Sequence, residues 1–154
     1  CLHYVIFSCY MFNTQGMTKT WYEAKHSCMA IGAYLAVIQT RNELHFLLSQ
    51  TVRSINTRDY WIGLKRQLKT YNYEWEDGTV GNYLPWVKDR ELGSCVFVNE
   101  FGNYQRNTCE VHLGYVCEKV FKFRRFLEEI SFLKSQNISV SQSISVFNSC
   151  MLTN

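Results

Sequence analysis

The chain has 154 residues, of which 47% are hydrophobic and 16% are aromatic, and it contains seven cysteines. This length and apolar content allow one packed domain followed by an extension. The formal net charge of +3 is too small to indicate nucleic-acid binding. There is also no apolar run of about 18 residues that would span a membrane.

The cysteines indicate disulfide bonds rather than metal binding or catalysis. No Cys-x-x-Cys pair occurs, and His3, His26, His45 and His112 lack the spacing of zinc ligands. Disulfides persist in oxidising compartments, so we expect an extracellular protein, either secreted or the ectodomain of a cell-surface protein. The chain begins at Cys1 without a signal-peptide pattern, which indicates a mature or partial sequence.

The first elements in chain order are a hairpin, a helix and a short strand. Residues 1–12 contain two β-prone arms, at 4–7 and 9–12. Thr20 and Glu23 then match a capping box, and apolar residues at helical spacing predict a helix over 21–31 with Cys28 on its buried face. The apolar run 35–38 predicts a buried strand.

A second helix and several strands follow. Thr40 and Glu43 repeat the capping-box pattern. The inner face of this helix is predicted to hold Leu44, Leu47, Leu48 and Thr51. Strand-like segments lie at 60–64, 71–75, 94–99 and 114–119. Two early helices followed by short strands predict an α+β domain rather than alternating βαβ units.

The composition changes near residue 120. Residues 123–133 form an amphipathic stretch that could cover the domain, be a tail without a role, pack on a partner helix or lie on a membrane surface. The chain after Lys134 is rich in serine and glutamine. We predict a domain at 1–119 and, at 120–154, an extension outside the domain that is poorly ordered at its end. Asn137 begins an N-glycosylation acceptor, Asn-Ile-Ser, within that extension.

An ordered set of motifs over residues 1–119 resembles the C-type lectin-like domain family. The motifs are Trp21-x-Glu23-Ala24 leading to Cys28, Leu35-Ala36-Val37-Ile38, Trp61-Ile62-Gly63-Leu64, Trp75-x-Asp77-Gly78 with Tyr83 and Trp86, and Cys109 leading to Tyr115-x-Cys117-Glu118-Lys119. The resemblance implies an α+β C-type lectin-like fold with two helices, short antiparallel strands, a long loop region and stabilising disulfides.

The resemblance also implies which cysteines pair. It joins Cys28 to Cys117 and Cys95 to Cys109, and it implies an N-terminal pair of Cys1 with Cys9. Cys150 is left over, either as a free thiol or as an intermolecular link.

The sequence departs from the family where other members bind sugar through calcium. Those members carry Glu-Pro-Asn or Gln-Pro-Asp after the tryptophan that is here Trp86, and Trp-Asn-Asp before the cysteine that is here Cys109. Residues 87–94 contain neither proline nor a side-chain amide, and Tyr104-Gln105-Arg106 occupies the second position. Calcium takes six to eight oxygen ligands, and a guanidinium repels a dication. We therefore expect no metal, no cofactor and no calcium-dependent binding at this site.

Six basic residues in or beside the long-loop region are candidates for ligand binding. A shared cationic face would attract sulfated or sialylated glycans or an acidic protein surface. Interspersed acidic residues such as Glu74 and Asp89 would instead make this a solvated surface of mixed charge. The six candidates are Lys65, Arg66, Lys69, Lys88, Arg90 and Arg106.

No activated nucleophile, paired carboxylates or serine triad supports an enzyme. The resemblance implies an extracellular recognition module that binds a protein or glycan ligand through the long-loop surface around residues 65–106, without the usual calcium site. The alternatives are a calcium-dependent lectin with a divergent site and a structural spacer within a larger multidomain receptor.

Overall fold

The computed structural model describes residues 6–13, 17–51, 58–80, 83–85, 93–122, 135 and 149–153. These residues form two helices and eight strands, so the α+β class predicted from the sequence is confirmed. The elements are β1 (Ile6–Phe12), α1 (Trp21–Ala30), β2 (Tyr34–Leu35), α2 (Arg41–Thr51), β3 (Tyr60–Arg66), β4 (Tyr73–Trp75), β5 (Cys95–Val98), β6 (Tyr104–Asn107), β7 (Gly114–Lys122) and β8 (Ser149–Thr153).

Both helices begin at the capping boxes that the sequence predicts. The Thr20 hydroxyl accepts a bond from the Glu23 amide at 3.3 Å, and the Glu23 carboxylate accepts one from the Thr20 amide at 2.9 Å. Thr40 and Glu43 make the equivalent bonds, at 3.2 and 2.9 Å. These bonds satisfy amides that have no partner within the helix. Each helix buries one apolar face, which holds Trp21, Ala24 and Cys28 in α1 and Leu44 and Leu47 in α2.

The strands pair in the order β6-β5-β3-β7-β1-β8, with β2 beside β7 and β4 beside β3. All pairs are antiparallel except β3 with β7. Because side chains alternate between the two faces of a strand, β3 supplies Ile62 to a core cluster that contains α2 and Trp61 to one that contains α1. The central strands are therefore apolar on both faces.

Two disulfides tie the elements together as the resemblance implies. Cys28 of α1 is joined to Cys117 of β7, and Cys95 of β5 is joined to Cys109 in the loop before β7. Trp61 lies close by, and its indole N–H donates to the Lys19 carbonyl at 2.9 Å. The α1 side of the sheet is thus held by covalent, apolar and polar contacts together.

The predicted hairpin over 1–12 is wrong within the part that the structure describes. Ile6–Phe12 is one continuous strand, paired with β7 on one side and β8 on the other. Ser8, the one residue of 7–9 that is common in turns, instead lies within the strand, opposite Val120 of β7 and Met151 of β8. Residues 1–5 lie outside the described residues.

The predicted strand over 35–38 is shorter than expected. Only Tyr34–Leu35 pairs as a strand, although the residues that follow, through Ile38, are buried. The Ala36 amide donates to the Val116 carbonyl at 2.9 Å, and the Val37 amide donates to the Glu118 carboxyl at 2.8 Å. A side chain therefore takes the place of a ladder partner.

One strand comes from the segment 120–154. Within that segment β7 continues to Lys122, and β8 pairs with β1. The amphipathic stretch at 123–133 and Asn137 lie outside the described residues, so the placement of the extension stays a prediction. The position of β8 was not predicted from the sequence.

Candidate functional site

The candidate site lies where β3, β4, β5 and β6 meet. Lys65 of β3 is opposite Glu74 of β4 on one side and Cys95 of β5 on the other, and Cys95 is opposite Asn107 of β6. The loop that follows β3 is therefore anchored at one edge of the four paired strands. The Arg66 amide extends the anchoring by donating to the Ser94 carbonyl at 2.7 Å.

Lys65 is turned toward α1. Its ammonium donates to the Tyr22 hydroxyl at 2.5 Å and lies 4.7 Å from the centre of that ring. It also lies 5.4 Å from the Trp21 ring. Cation–π contacts of this kind hold the charge against the aromatic faces, so Lys65 supports the packing of α1 on β3.

Arg66 instead packs on Tyr71 in the β3–β4 loop. The guanidinium lies 4.7 Å from the ring centre, and its Nε donates to the Tyr71 carbonyl at 3.3 Å. Tyr71 has a φ of 59°, a left-handed conformation that costs a non-glycine residue on the order of 1–3 kcal/mol. The loop closes around it, because Tyr71 N donates to Gln67 O at 2.9 Å and Gln67 N donates to Asn72 O at 2.8 Å. A costly conformation thus holds an exposed ring in a defined position.

Two further exposed apolar residues are Leu68, in the same loop, and Val80, beyond the end of β4. Leu68 is 80% exposed, Tyr71 is 64% exposed and Val80 is 71% exposed; we call these three residues the hairpin patch. Tyr71 and Val80 line a groove of about 500 Å³. Its other lining residues are Gln67, Thr70, Asn72, Tyr73, Glu74, Gly78 and Leu84.

Arg106 occupies the position at which the family resemblance implies a carboxylate in members that bind calcium. It lies on β6, and its Nη1 donates to the Gly93 carbonyl at 3.5 Å. Gly93 has a φ of 149°, and a Cβ there would lie 2.1 Å from the carbonyl oxygen of Asn107. Glycine is therefore required for this close approach of the loop to β6, which holds the loop carbonyl beside the guanidinium.

These residues do not fit a calcium ion. The triplet position supplies a buried tyrosine, one amide and a guanidinium, whereas calcium requires several oxygen ligands with negative charge. Among the residues that the structure describes, no group of three or more histidine, cysteine, aspartate or glutamate side chains could hold a metal ion.

A second polar feature lies inside the domain, at Glu118 of β7. Its Oε2 accepts from the Val37 amide at 2.8 Å, and its Oε1 accepts from the Tyr10 hydroxyl at 3.5 Å. Burial raises the pKa of Glu118 to about 7, although bonds from Ser8 and Val37 oppose this change. Burial, aided by the charge of Glu118, also raises the pKa of Tyr34 to about 12.

The four described basic candidates lie in separate surroundings. Lys65 is held against α1 and Arg66 against Tyr71, while Lys69 is exposed in the β3–β4 loop and Arg106 lies on β6. Lys88 and Arg90 lie outside the described residues. A joint cationic surface therefore stays a prediction.

Sequence reasoning missed the hairpin patch. No pattern singles out Tyr71, because left-handed conformations are typical of glycine and asparagine rather than tyrosine. The one signal was the run Leu68-Lys69-Thr70-Tyr71, in which large apolar residues stand in a segment too short and polar to be core.

Comparison with known proteins agrees with this architecture. The family profile of the lectin C-type domain matches residues 17–119. Lymphocyte antigen 75 of Homo sapiens is 36% identical over 119 residues, covering 73% of this chain and 7% of that protein. Killer cell lectin-like receptor subfamily B member 1B allele A of Mus musculus is 32% identical over 110 residues, covering 70% of this chain and 48% of that protein.

A solved structure is also similar. It is the cow C-type carbohydrate-recognition domain of CD23, solved in the presence of a GlcNAc2Man3 oligosaccharide. The TM-score is 0.64 at 26% identity, and the match covers 74% of this chain and 88% of that chain.

The chain belongs to the C-type lectin domain family and has the C-type lectin-like fold. These similar proteins include a killer cell receptor and a carbohydrate-recognition domain, which supports a general role in ligand recognition. The chain spans less than half the length of either curated relative.

Within the described part of the chain, no helix has both the length and the apolar character needed to cross a membrane.

Proposed function

We propose that this chain is an extracellular, non-enzymatic recognition domain that binds a protein ligand through its long-loop surface, without calcium. The observation that carries the proposal is the hairpin patch, in which a strained backbone holds Tyr71 outward beside the exposed side chains of Leu68 and Val80. The disulfides are consistent with an oxidising compartment outside the cell.

The composition of this surface favours a protein ligand. Tyrosine and arginine are enriched among the residues that contribute most binding energy in protein interfaces, and here Arg66 stacks on Tyr71. Stacking reduces the freedom of both side chains before binding, which lowers the entropic cost of association. Leu68 and Val80 would add apolar area around this pair.

Independence from calcium is supported by Arg106. Its positive charge takes the place of a ligand carboxylate, and its contact with Gly93 leaves it beside the loop. An added calcium ion would have to displace or approach this charge, which Coulomb repulsion opposes.

Binding to cells tests the proposal directly. Tetramers of the chain should stain a panel of cells equally with and without EDTA, and protease treatment of the cells should remove the staining. Tyr71→Ala should reduce the staining about tenfold or more, as expected for a hot-spot aromatic residue. Met29→Ser is the matched control, because Met29 is also apolar and 57% exposed but lies on α1. Equal loss in both variants would contradict a role for the hairpin patch.

Calcium titration tests the second part of the proposal. A ligand at a hundredfold excess over its dissociation constant stabilises the folded state by about 2.7 kcal/mol. We expect no shift in the unfolding temperature of the oxidised chain between EDTA and millimolar calcium. A calcium-dependent rise accompanied by sugar binding would instead identify a lectin with a divergent site.

A glycan is the second candidate ligand. It is favoured by the polar lining of the groove, in which Gln67, Asn72 and Glu74 stand beside the Tyr71 ring, and aromatic rings and amides commonly contact sugars. Staining that survives protease but is lost after glycosidase treatment would support it. Absence of staining from every cell type would favour the structural-spacer alternative.

A further inference from the structure

The C-terminal strand provides an inference that is independent of the ligand. Cys9 is disulfide-bonded. The other four described core cysteines are paired with one another, Cys28 with Cys117 and Cys95 with Cys109. The partner of Cys9 is therefore one of the two remaining cysteines, Cys1 or Cys150.

The strand register favours one of these two. In the antiparallel pairing of β1 with β8, Cys9 is directly opposite Cys150. Cα atoms of directly opposed residues lie about 4.5 or 5.5 Å apart in such a ladder. This spacing lies within the range of about 4.4–6.8 Å that a disulfide spans.

We propose that Cys9 and Cys150 form a disulfide that fastens the C-terminal strand β8 to β1. The two thiols become one S–S bond, and the two protons and two electrons that they release reduce a disulfide of a thiol oxidoreductase in the secretory pathway. Cys1 is then left as the unpaired cysteine of the chain.

The cross-link has a structural consequence. β1 lies between β7 and β8, and β8 is the last strand on that side of the sheet among the residues that the structure describes. Without β8, the edge of β1 would present unpaired backbone groups, which favour pairing with another chain. A covalently held β8 keeps this edge covered.

Peptide mapping without reductant tests the proposal. Free thiols are alkylated at acid pH, N-linked glycan is removed, and the denatured chain is digested with trypsin. Lysines 19 and 134 delimit the peptides 1–19 and 135–154. Chymotrypsin, which cuts after Tyr4 and Phe7, then separates Cys1 from Cys9. We expect 135–154 to be joined to the fragment that contains Cys9, with Cys1 alkylated.

Any other connection overturns the proposal. Cys1 joined to Cys9 with Cys150 alkylated, Cys1 joined to Cys150, or two copies joined through Cys150 would each do so. Two variants make the test independent of digestion. After cleavage at Lys134 and denaturation in SDS without reductant, the 135–154 peptide should stay attached to the rest of the chain in Cys1→Ser. It should separate from the rest of the chain in Cys150→Ser. Loss in both variants would also overturn it.

Self-association tests whether the cross-link keeps the edge of β1 covered. By sedimentation, Cys150→Ser should self-associate at concentrations at which Cys1→Ser remains monomeric, because only the first releases the cover of β1. Monomers in both variants would overturn the role assigned to β8 at this edge.

Discussion

At the scale of single residues, Glu118 is a buried carboxylic acid whose pKa departs from its ordinary value. Its carboxyl group is buried on β7 and shares contacts with Val37 and Tyr10. Burial raises its pKa from the ordinary value of 4.5 to about 7. The folded chain therefore holds a proton between these two values that the unfolded chain releases.

Stability should depend on pH through this group. Because the folded pKa lies above the unfolded one, the contribution of Glu118 is fully present below the unfolded pKa and is lost as the pH rises through about 7. A tenfold change in proton affinity corresponds to about 1.4 kcal/mol, so the loss is on the order of 3 kcal/mol. Glu118→Gln should remove this loss of stability at high pH, because glutamine does not titrate. The variant should therefore be more stable than the parent protein at pH about 8. Urea unfolding of the parent and of the variant at pH about 5 and about 8 measures how the free energy of unfolding of each protein changes with pH.

A surface carboxylate provides the control for that experiment. Glu100 forms an exposed ion pair with Arg58 at 3.3 Å, and such pairs contribute about 0–1 kcal/mol. Glu100→Gln should leave the pH dependence of the parent protein nearly unchanged. If Glu118→Gln and Glu100→Gln have the same slope as the parent, the carboxyl of Glu118 does not carry the effect.

At the scale of elements, the helices follow local rules. The capping boxes of α1 and α2 were predicted from Thr20-x-x-Glu23 and Thr40-x-x-Glu43, and both are formed. Capping depends on residues three apart, so no distant part of the chain is needed to make the prediction. The pKa of Glu23 is lowered chiefly by its bond from the Thr20 backbone, which shows that the box favours the carboxylate.

Removing one cap should destabilise the domain by a small, defined amount. Thr20→Ala deletes the hydroxyl that accepts from the Glu23 amide, and such substitutions cost about 1 kcal/mol. Thr20→Ser keeps the hydroxyl and should restore most of the loss. The midpoint of urea unfolding measures both variants, and equal destabilisation by alanine and serine would contradict capping as the cause.

The strands were predicted less well than the helices. The sequence predicts a hairpin over 1–12, yet Ile6–Phe12 is one strand between β7 and β8. Its alternation is the same in both arrangements, so the pattern of residues does not distinguish them. Whether the segment forms a hairpin or a single strand depends on which distant strand supplies its hydrogen bonds. The strands β6 and β8 were not predicted for the same reason.

At the scale of the whole molecule, the two core disulfides close loops of very different length in the sequence. Cys28 and Cys117 are 89 residues apart, and Cys95 and Cys109 are 14 residues apart. A cross-link stabilises chiefly by restricting the unfolded chain, and the effect rises slowly with the length of the closed loop.

The long cross-link should contribute more than the short one. Cys28→Ala with Cys117→Ala should lower the free energy of unfolding by up to about 4–5 kcal/mol, and Cys95→Ala with Cys109→Ala by up to about 3 kcal/mol. Chemical unfolding of both double variants gives the comparison. A larger loss from the short cross-link would mean that local packing, not chain entropy, determines the order.

The sequence by itself determined the helices with their caps, the apolar strands of the core and, through its ordered motifs, the family and the two core disulfides. These features depend on residues near one another in the chain or on a pattern shared by many relatives. Tertiary structure decided the single strand β1, the edge strand β8, the buried environment of Glu118 and the outward Tyr71. Each of these depends on which distant segments meet, because burial, strand pairing and a strained backbone are determined by the surrounding contacts rather than by the residue's own neighbours.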